Sequence, residues 1–310
     1  DYDRCVSCGQ CLVSCPFGAI VDKSQIYQVI RSILEGNEVV AIVAPSFVGQ
    51  FGRDVTVPKF LTAMKQLGFA DVVEVAAGAD ICTIEEAHDF LEKVPNEQRF
   101  MATSCCPSWR MMARRLFPAE SGNISMTYTP MVYTARLVKK EHPNSKVVFI
   151  GPCAAKKLEA MQDDIRTDVD FVLTYEELMG IFEAKEINFS TLPDSPDLDE
   201  GTRAGRGFAV AGGVAAAVEE LIHKERPDIE LKTQRADGLR DCRKLLMLAK
   251  AGKLDGYLLE GMACPGGCVA GAGTVVSADT AAKKLARQMA QASGETAKDS
   301  KYRKLADQLN

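Results

Sequence analysis

The chain has 310 residues, enough for one large domain or two ordinary ones with a sizeable core. Its 46% hydrophobic and 25% charged residues are ordinary for a globular protein, and no apolar run approaches the roughly 18 residues of a membrane-spanning helix. The 37 basic and 42 acidic residues leave a net charge of −5, which argues against nucleic-acid or membrane partners. Eleven cysteines against three histidines is the abnormal feature. A disulfide scaffold is usually short and secreted, whereas clustered cysteines in a large chain more often bind metal or do redox chemistry. With no histidine close to a cysteine pair, thiolate-bound iron is favoured over a mixed zinc site.

The chain opens at Asp1 rather than Met, so a piece of a longer protein is expected. Residues 1–22 are compact and Cys-rich, and residues 23–35 carry apolar residues at helical spacing. The runs 39–47, 71–80, 146–153 and 255–264 each read as a buried strand leading into a loop. Between them lie helical patterns at PKFLTAMKQLGF, IEEAHDFLEKV and GGVAAAVEELIHKE, which predicts an α/β fold with largely parallel sheets. Residues 193–206 are polar and turn-rich and read as a surface excursion; the tail from Ala278 is helical in pattern.

The first motif is Cys5-x2-Cys8-x2-Cys11-x3-Cys15-Pro16. Three thiolates two residues apart can hold one 4Fe–4S cluster, and the fourth, set before Pro, reaches a second cluster in bacterial-type ferredoxins. A zinc ribbon would need two separated pairs. One copy is present, so its companion motif is expected upstream. Three further loops carry Thr103-Ser104-Cys105-Cys106-Pro107, Gly151-Pro152-Cys153 through Lys157, and Glu260 through Cys268. Loops beyond the carboxyl ends of parallel strands line ligand crevices, so Cys106, Cys153, Cys264 and Cys268 can converge on one cubane. Glycines 266, 267, 271 and 273 would allow close backbone approach to an inorganic body. Cys82 and Cys242 read as buried small hydrophobes.

These loops resemble the signatures of the FeFe hydrogenases, T-S-C-C-P-x-W, P-C-x-x-K-K-x-E and E-x-M-A-C-x-x-G-C-x-x-G-x-G, in the family's order and after a ferredoxin motif. The resemblance covers nearly the whole chain. It implies a ferredoxin-like fragment over 1–22 and a two-lobed catalytic domain over 23–310. It also implies an H-cluster: a 4Fe–4S cubane sharing a cysteine sulfur with a di-iron unit that bears CO, cyanide and azadithiolate. By motif matching, Cys106, Cys153, Cys264 and Cys268 are the cubane ligands, with Cys268 shared. Lys156 would hydrogen-bond one cyanide, Pro45 and Ser46 match the pocket of the other, and Met262 and Phe208 would pack beside the di-iron unit.

The same matching gives a proton route. Cys105 corresponds to the thiol that exchanges protons with the azadithiolate amine. Glu86 and Asp89 share a helix face and match two carboxylate positions, with Ser125 between them. Asp89 is shorter than the family's usual Glu. Other departures are Gly151 where Met is common, Ser108 before the tryptophan, Met131 where the best-known members have Gln, and Ala272 within Gly-Ala-Gly-Thr-Val. They suggest a divergent, monomeric-type branch. The implied reaction is 2H⁺ + 2e⁻ ⇌ H₂, with a ferredoxin-like electron carrier docking near residues 1–22 and maturation proteins as further partners. Reduced cysteines and the lack of a leader lead to an expectation of a cytoplasmic protein. The alternatives are a hydrogenase-like iron–sulfur assembly protein, which characteristically lacks the two-cysteine loop, and a hydrogen sensor, whose branch tends to replace the residue at 105. A plain ferredoxin would not need the chain after Cys15.

Overall fold

The computed structural model describes residues 3–196, 198 and 200–309. The first two residues of the expected 1–22 fragment, and residues 197 and 199 of the expected excursion, lie outside them. Among the described residues the strands are Val39–Val43 (β1), Asp71–Glu74 (β2), Met101–Ala102 (β3), Lys146–Gly151 (β4), Phe171–Thr174 (β5), Lys232–Asp237 (β6) and Tyr257–Met262 (β7). They build two sheets of order β2-β1-β4-β5 and β3-β7-β6, and every pairing is parallel. The α/β architecture read from the sequence is therefore the observed one.

Parallel strands covered on both faces read as near-continuous apolar runs, and β1 is buried at all five positions while β4 and β7 are buried at all but their first. In the four-stranded sheet, Val39, Ala41 and Val43 enter a core with Phe47, Phe60 and Phe182, while Val40 and Ile42 enter another with Met131 and Phe149. In the three-stranded sheet, Leu258 and Met262 pack with the helix Ala76–Lys93, and Leu259 packs with Trp109. That helix follows β2 and leads the chain from one sheet to the other.

Several details differ from the sequence reading. The run 71–80 is strand only to Glu74, because the helix already begins at Ala76. β3 is two residues long, and β6, KTQRAD, is polar and largely exposed, so neither carries an apolar signature. The end of the 193–206 segment is not a surface excursion. Gly201, Thr202, Ala204 and Arg206 are buried, with the Arg206 guanidinium on both Glu74 oxygens at 2.8 and 3.0 Å. Thr202 also donates through its backbone N–H and hydroxyl to Asp80.

Candidate metal centre

The order β2-β1-β4-β5 reverses direction between β1 and β4, and a crevice opens outside the strand ends at such a switch point. β1 delivers Pro45 and Ser46, β4 delivers Cys153, and from the second sheet β3 delivers Cys105 and Cys106 while β7 delivers Cys264 and Cys268. All of them border one partly open cavity. Lys156, Phe208 and Met262 border it as well, as does Cys8 of the first motif.

Each loop is held by its own packing. Pro107 opens the helix Pro107–Leu116 directly after Cys106, and Trp109 Nε1 donates to Thr103 O at 3.1 Å across the base of the two-cysteine turn. Ala263 N donates to Cys106 Sγ at 3.4 Å, which joins the first loop to the third. Glu260, fully buried, accepts from Gly212 N and Ala215 N and so caps the helix Gly213–Glu225 behind the third loop. Gly271 and Gly273 of the third loop serve loop packing. A Cβ at Gly271 would meet Pro152 O at 2.4 Å, and one at Gly273 would meet Thr174 Cβ at 2.5 Å. Ser46 Oγ shares a hydrogen bond with Tyr175 Oη at 2.8 Å, and Tyr175 Oη donates to Ala44 O.

All eleven cysteines are free thiols. Burial raises the thiols of Cys106, Cys153, Cys264 and Cys268, and the charges of the others oppose ionisation of Cys153, Cys264 and Cys268. The Cys153 thiol is pushed up to about 11 and that of Cys268 to about 12. Four thiols at a buried site, three of them opposed by the charges of their neighbours, ionise together only when a metal body supplies counter-charge. The donor set, all sulfur and four in number, fits an iron–sulfur cubane. Among the described residues no three His, Cys, Asp or Glu side chains close on a single ion; these sulfurs border a space instead of meeting at a point.

Lys156 is buried. Its Nζ ion-pairs with the carboxylate of buried Glu159, and donates to Thr129 Oγ1 at 3.0 Å and to Cys105 O at 3.4 Å. Burial favours a neutral amine, but Glu159 and the neighbouring thiols Cys153 and Cys105 outweigh it and hold the group charged. The next lysine acts differently: Lys157 Nζ donates to Lys23 O and Glu177 and ion-pairs with Asp22, pinning the segment after the first motif to the domain.

Glu86 lies fully buried on the helix Ala76–Lys93. Its Oε1 accepts from Ser104 N at 3.1 Å and Ser104 Oγ at 3.4 Å, whereas Oε2 has no hydrogen-bond partner among the described residues. Burial, with Glu260 and Asp89 adding to it, raises this carboxyl to about 7. Cys105 is half-buried beside it; burial and then the Glu86 charge raise its thiol. Ser104 Oγ also donates to Thr127 O at 2.7 Å, and Thr127 N donates to Ser125 Oγ at 3.1 Å. Ser125 makes no described hydrogen bond to Glu86 or Asp89. Asp89 is half-exposed and ion-paired with Lys93 at 2.9 Å. Ser104 is thus the group that touches Glu86, and its place between Thr103 and Cys105 in the motif was the signal available for it.

Of the other cysteines, Cys242 donates to Met262 O and Ala236 O, and Cys82 is wholly buried in the core around the helix Ala76–Lys93. In the first motif, backbone N–H groups of Phe17 and Ala19 lower the Cys15 thiol. Gly9, at φ +77, would place a Cβ 2.3 Å from Ala272 Cβ, so the motif is seated on the third loop through a contact only glycine permits.

The family model of the iron only hydrogenase large subunit, C-terminal domain, matches residues 37–272. The chain belongs to the iron-only hydrogenase family. A 4Fe-4S binding domain model matches residues 1–21. Iron hydrogenase 1 of Clostridium pasteurianum is 32% identical over 83% of this chain and 54% of that protein. The NADP-reducing hydrogenase subunit HndD of Solidesulfovibrio fructosivorans is 30% identical over 87% of this chain and 55% of its own. The chain therefore spans about half the length of these relatives. Cytosolic iron-sulfur assembly component 3 of Rattus norvegicus is 24% identical over 92% of this chain and 74% of its own. In fold, the chain is similar to an apo FeFe hydrogenase HydA1 of Chlamydomonas reinhardtii, with a TM-score of 0.75 at 21% identity, covering 92% of this chain and 94% of that one. No helix among the described residues is long and apolar enough to cross a membrane.

Proposed function

We propose that this chain carries the catalytic centre of an FeFe hydrogenase, interconverting protons and electrons with H₂. The observation that carries this reading is the cavity itself: four cysteines from three loops border it together with a fifth, Cys105, that is spare. When bound, the H-cluster would supply two-electron redox chemistry at its di-iron unit. Cys106, Cys153, Cys264 and Cys268 hold the cubane. Lys156, kept charged by Glu159, would supply an ammonium donor to a cyanide ligand, and Ser46, braced by Tyr175, would border the other. Pro45, Phe208 and Met262 exclude water from the remaining lining. Cys105 exchanges the proton at the cavity, and Ser104, its neighbour in the chain, holds Glu86 beside it; by resemblance to the family, buried Ser125 and the half-exposed Asp89 would lie further along the route, with no described hydrogen bond joining them to Glu86.

Residues 1–22 form a ferredoxin-like fragment whose Cys5, Cys8, Cys11 and Cys15 hold or share 4Fe–4S clusters. Cys8 borders the catalytic cavity, so electrons from a ferredoxin-like carrier enter there. Residues 23–310 form the catalytic domain, loaded by maturation proteins in the cytoplasm. The test is infrared spectroscopy of the matured full chain with an assay of H₂ evolution from a reduced carrier. CO and cyanide bands with turnover support the reading. A protein that binds four-iron clusters, shows no such bands and evolves no H₂ is instead an assembly component, the role named for the relative from Rattus norvegicus.

A further inference from the structure

Phe149 and Gly151 lie two residues apart on β4 and so present the same face of the strand. A Cβ on Gly151 would fall 2.5 Å from both Cε1 and Cζ of the Phe149 ring and 3.3 Å from Ala44 Cβ. The ring therefore fills the space that a side chain at 151 would take, and no larger residue fits there while the ring stays. Phe149 is buried, borders the cavity, and shares one apolar core layer with Ala44, Val75 and Met131, which border it too. None of these four side chains offers a charge or a hydrogen-bonding group able to hold water. A wall of this kind favours small apolar molecules, since dry apolar cavities take up xenon and hydrocarbons.

We infer that the Phe149 ring, seated on Gly151, is the wall that limits how diatomic gases such as CO and O₂ approach the centre. Phe149 is thus a specificity-determining residue. The ligand class rests on the hydrogenase reading; the packing of ring on glycine does not.

Thermal unfolding of the full chain, purified without maturation, tests the packing. Gly151→Ala is expected to lower Tm by about 3 °C or more, because the ring must move. In a Phe149→Val background the same change is expected to cost less than about 1 °C. Equal losses in both backgrounds overturn the packing. Xenon titration of the same unmatured proteins, read from the ¹²⁹Xe shift, is expected to show at least about threefold tighter binding for Phe149→Val, and no gain overturns the wall. In matured protein, the rate of CO binding followed by infrared is expected to rise at least about fivefold for Phe149→Val. Phe149→Leu, which preserves more of the core, should shift in the same direction. A shift below twofold for both overturns the gas role. If the matured protein shows no CO or cyanide bands, the hydrogenase reading has failed, and unfolding and xenon binding still judge the wall.

Discussion

Glu86→Gln separates the function of the buried carboxyl from its energetic burden. Burial raises this group from an ordinary 4.5 to about 7. At about 1.4 kcal/mol per pKa unit, that is about 3 kcal/mol disfavouring its ionised form in the folded chain. Below pH 4.5 the carboxyl is protonated in folded and unfolded chains alike. Between pH 4.5 and 7 the unfolded chain releases the proton while the folded one retains it, so stability falls as pH rises; above about 7 the loss is complete. Glutamine keeps an oxygen for Ser104 N and cannot ionise. Its buried amide imposes a cost of its own, but one that does not vary with pH. The stability of the variant relative to wild type is therefore expected to rise by about 2 to 3 kcal/mol between pH 4.5 and pH 8, the lower figure allowing for relaxation around the charge. Urea unfolding of the unmatured full chain at fixed pH measures it. A change below about 1 kcal/mol refutes the claim that Glu86 is held protonated by burial. In matured protein the same substitution should slow H₂ evolution at least about 100-fold while leaving iron content unchanged.

Cys105→Ala should retain iron and the CO and cyanide bands yet lose most H₂ evolution, with Cys105→Asp recovering more rate than Cys105→Ser; the reverse ranking would make Cys105 a packing residue. Cys153→Ala is expected to lose its cluster iron by metal analysis. Cys242→Ala should keep that iron and lose only about 1 kcal/mol of stability, since its thiol serves the Met262 and Ala236 carbonyls. Arg206→Met strands the Glu74 carboxylate in the interior and is expected to cost about 3 to 5 kcal/mol by urea unfolding, whereas pairing it with Glu74→Gln should recover much of that loss.

The parallel architecture was legible because a buried parallel strand reads as a near-continuous apolar run, as β1 does throughout, β4 after Lys146 and β7 apart from Glu260, and because each ends in a loop marked by Pro or Cys. The same rule hid β6, an edge strand whose polar side chains face outward and whose place comes from pairing with β7. The convergence of the four cysteines could be inferred from loops following strands. The grip of Ser104 on Glu86 could not, since it joins a loop to a helix 18 residues away in sequence and depends on how that helix crosses between the sheets. Likewise, the polar segment ending at Arg206 reads as a surface loop until its partner Glu74, 132 residues distant, is brought to it. Gly151 was visible as a missing side chain; that Phe149 fills its place follows only from the lean of a ring along β4.

Hydrogen-bond satisfaction divides the buried carboxylates into two groups. Glu74 has both oxygens on Arg206, Asp80 has both on Thr202, and Glu260 divides its pair between Gly212 N and Ala215 N. Each is a closed account of donors and acceptors, as a folded interior requires. Glu86 and Glu159 are equally buried, yet each keeps one oxygen without a partner among the described residues. Both flank the two-cysteine loop, Glu86 through Ser104 and Glu159 through Lys156, whose ammonium also reaches the Cys105 carbonyl. An unmet oxygen on a buried carboxylate is a place where a further donor can be taken up. Here the two groups reach the loop at Ser104 and, through Lys156, at the carbonyl of Cys105, the residue whose thiol is proposed to carry the proton.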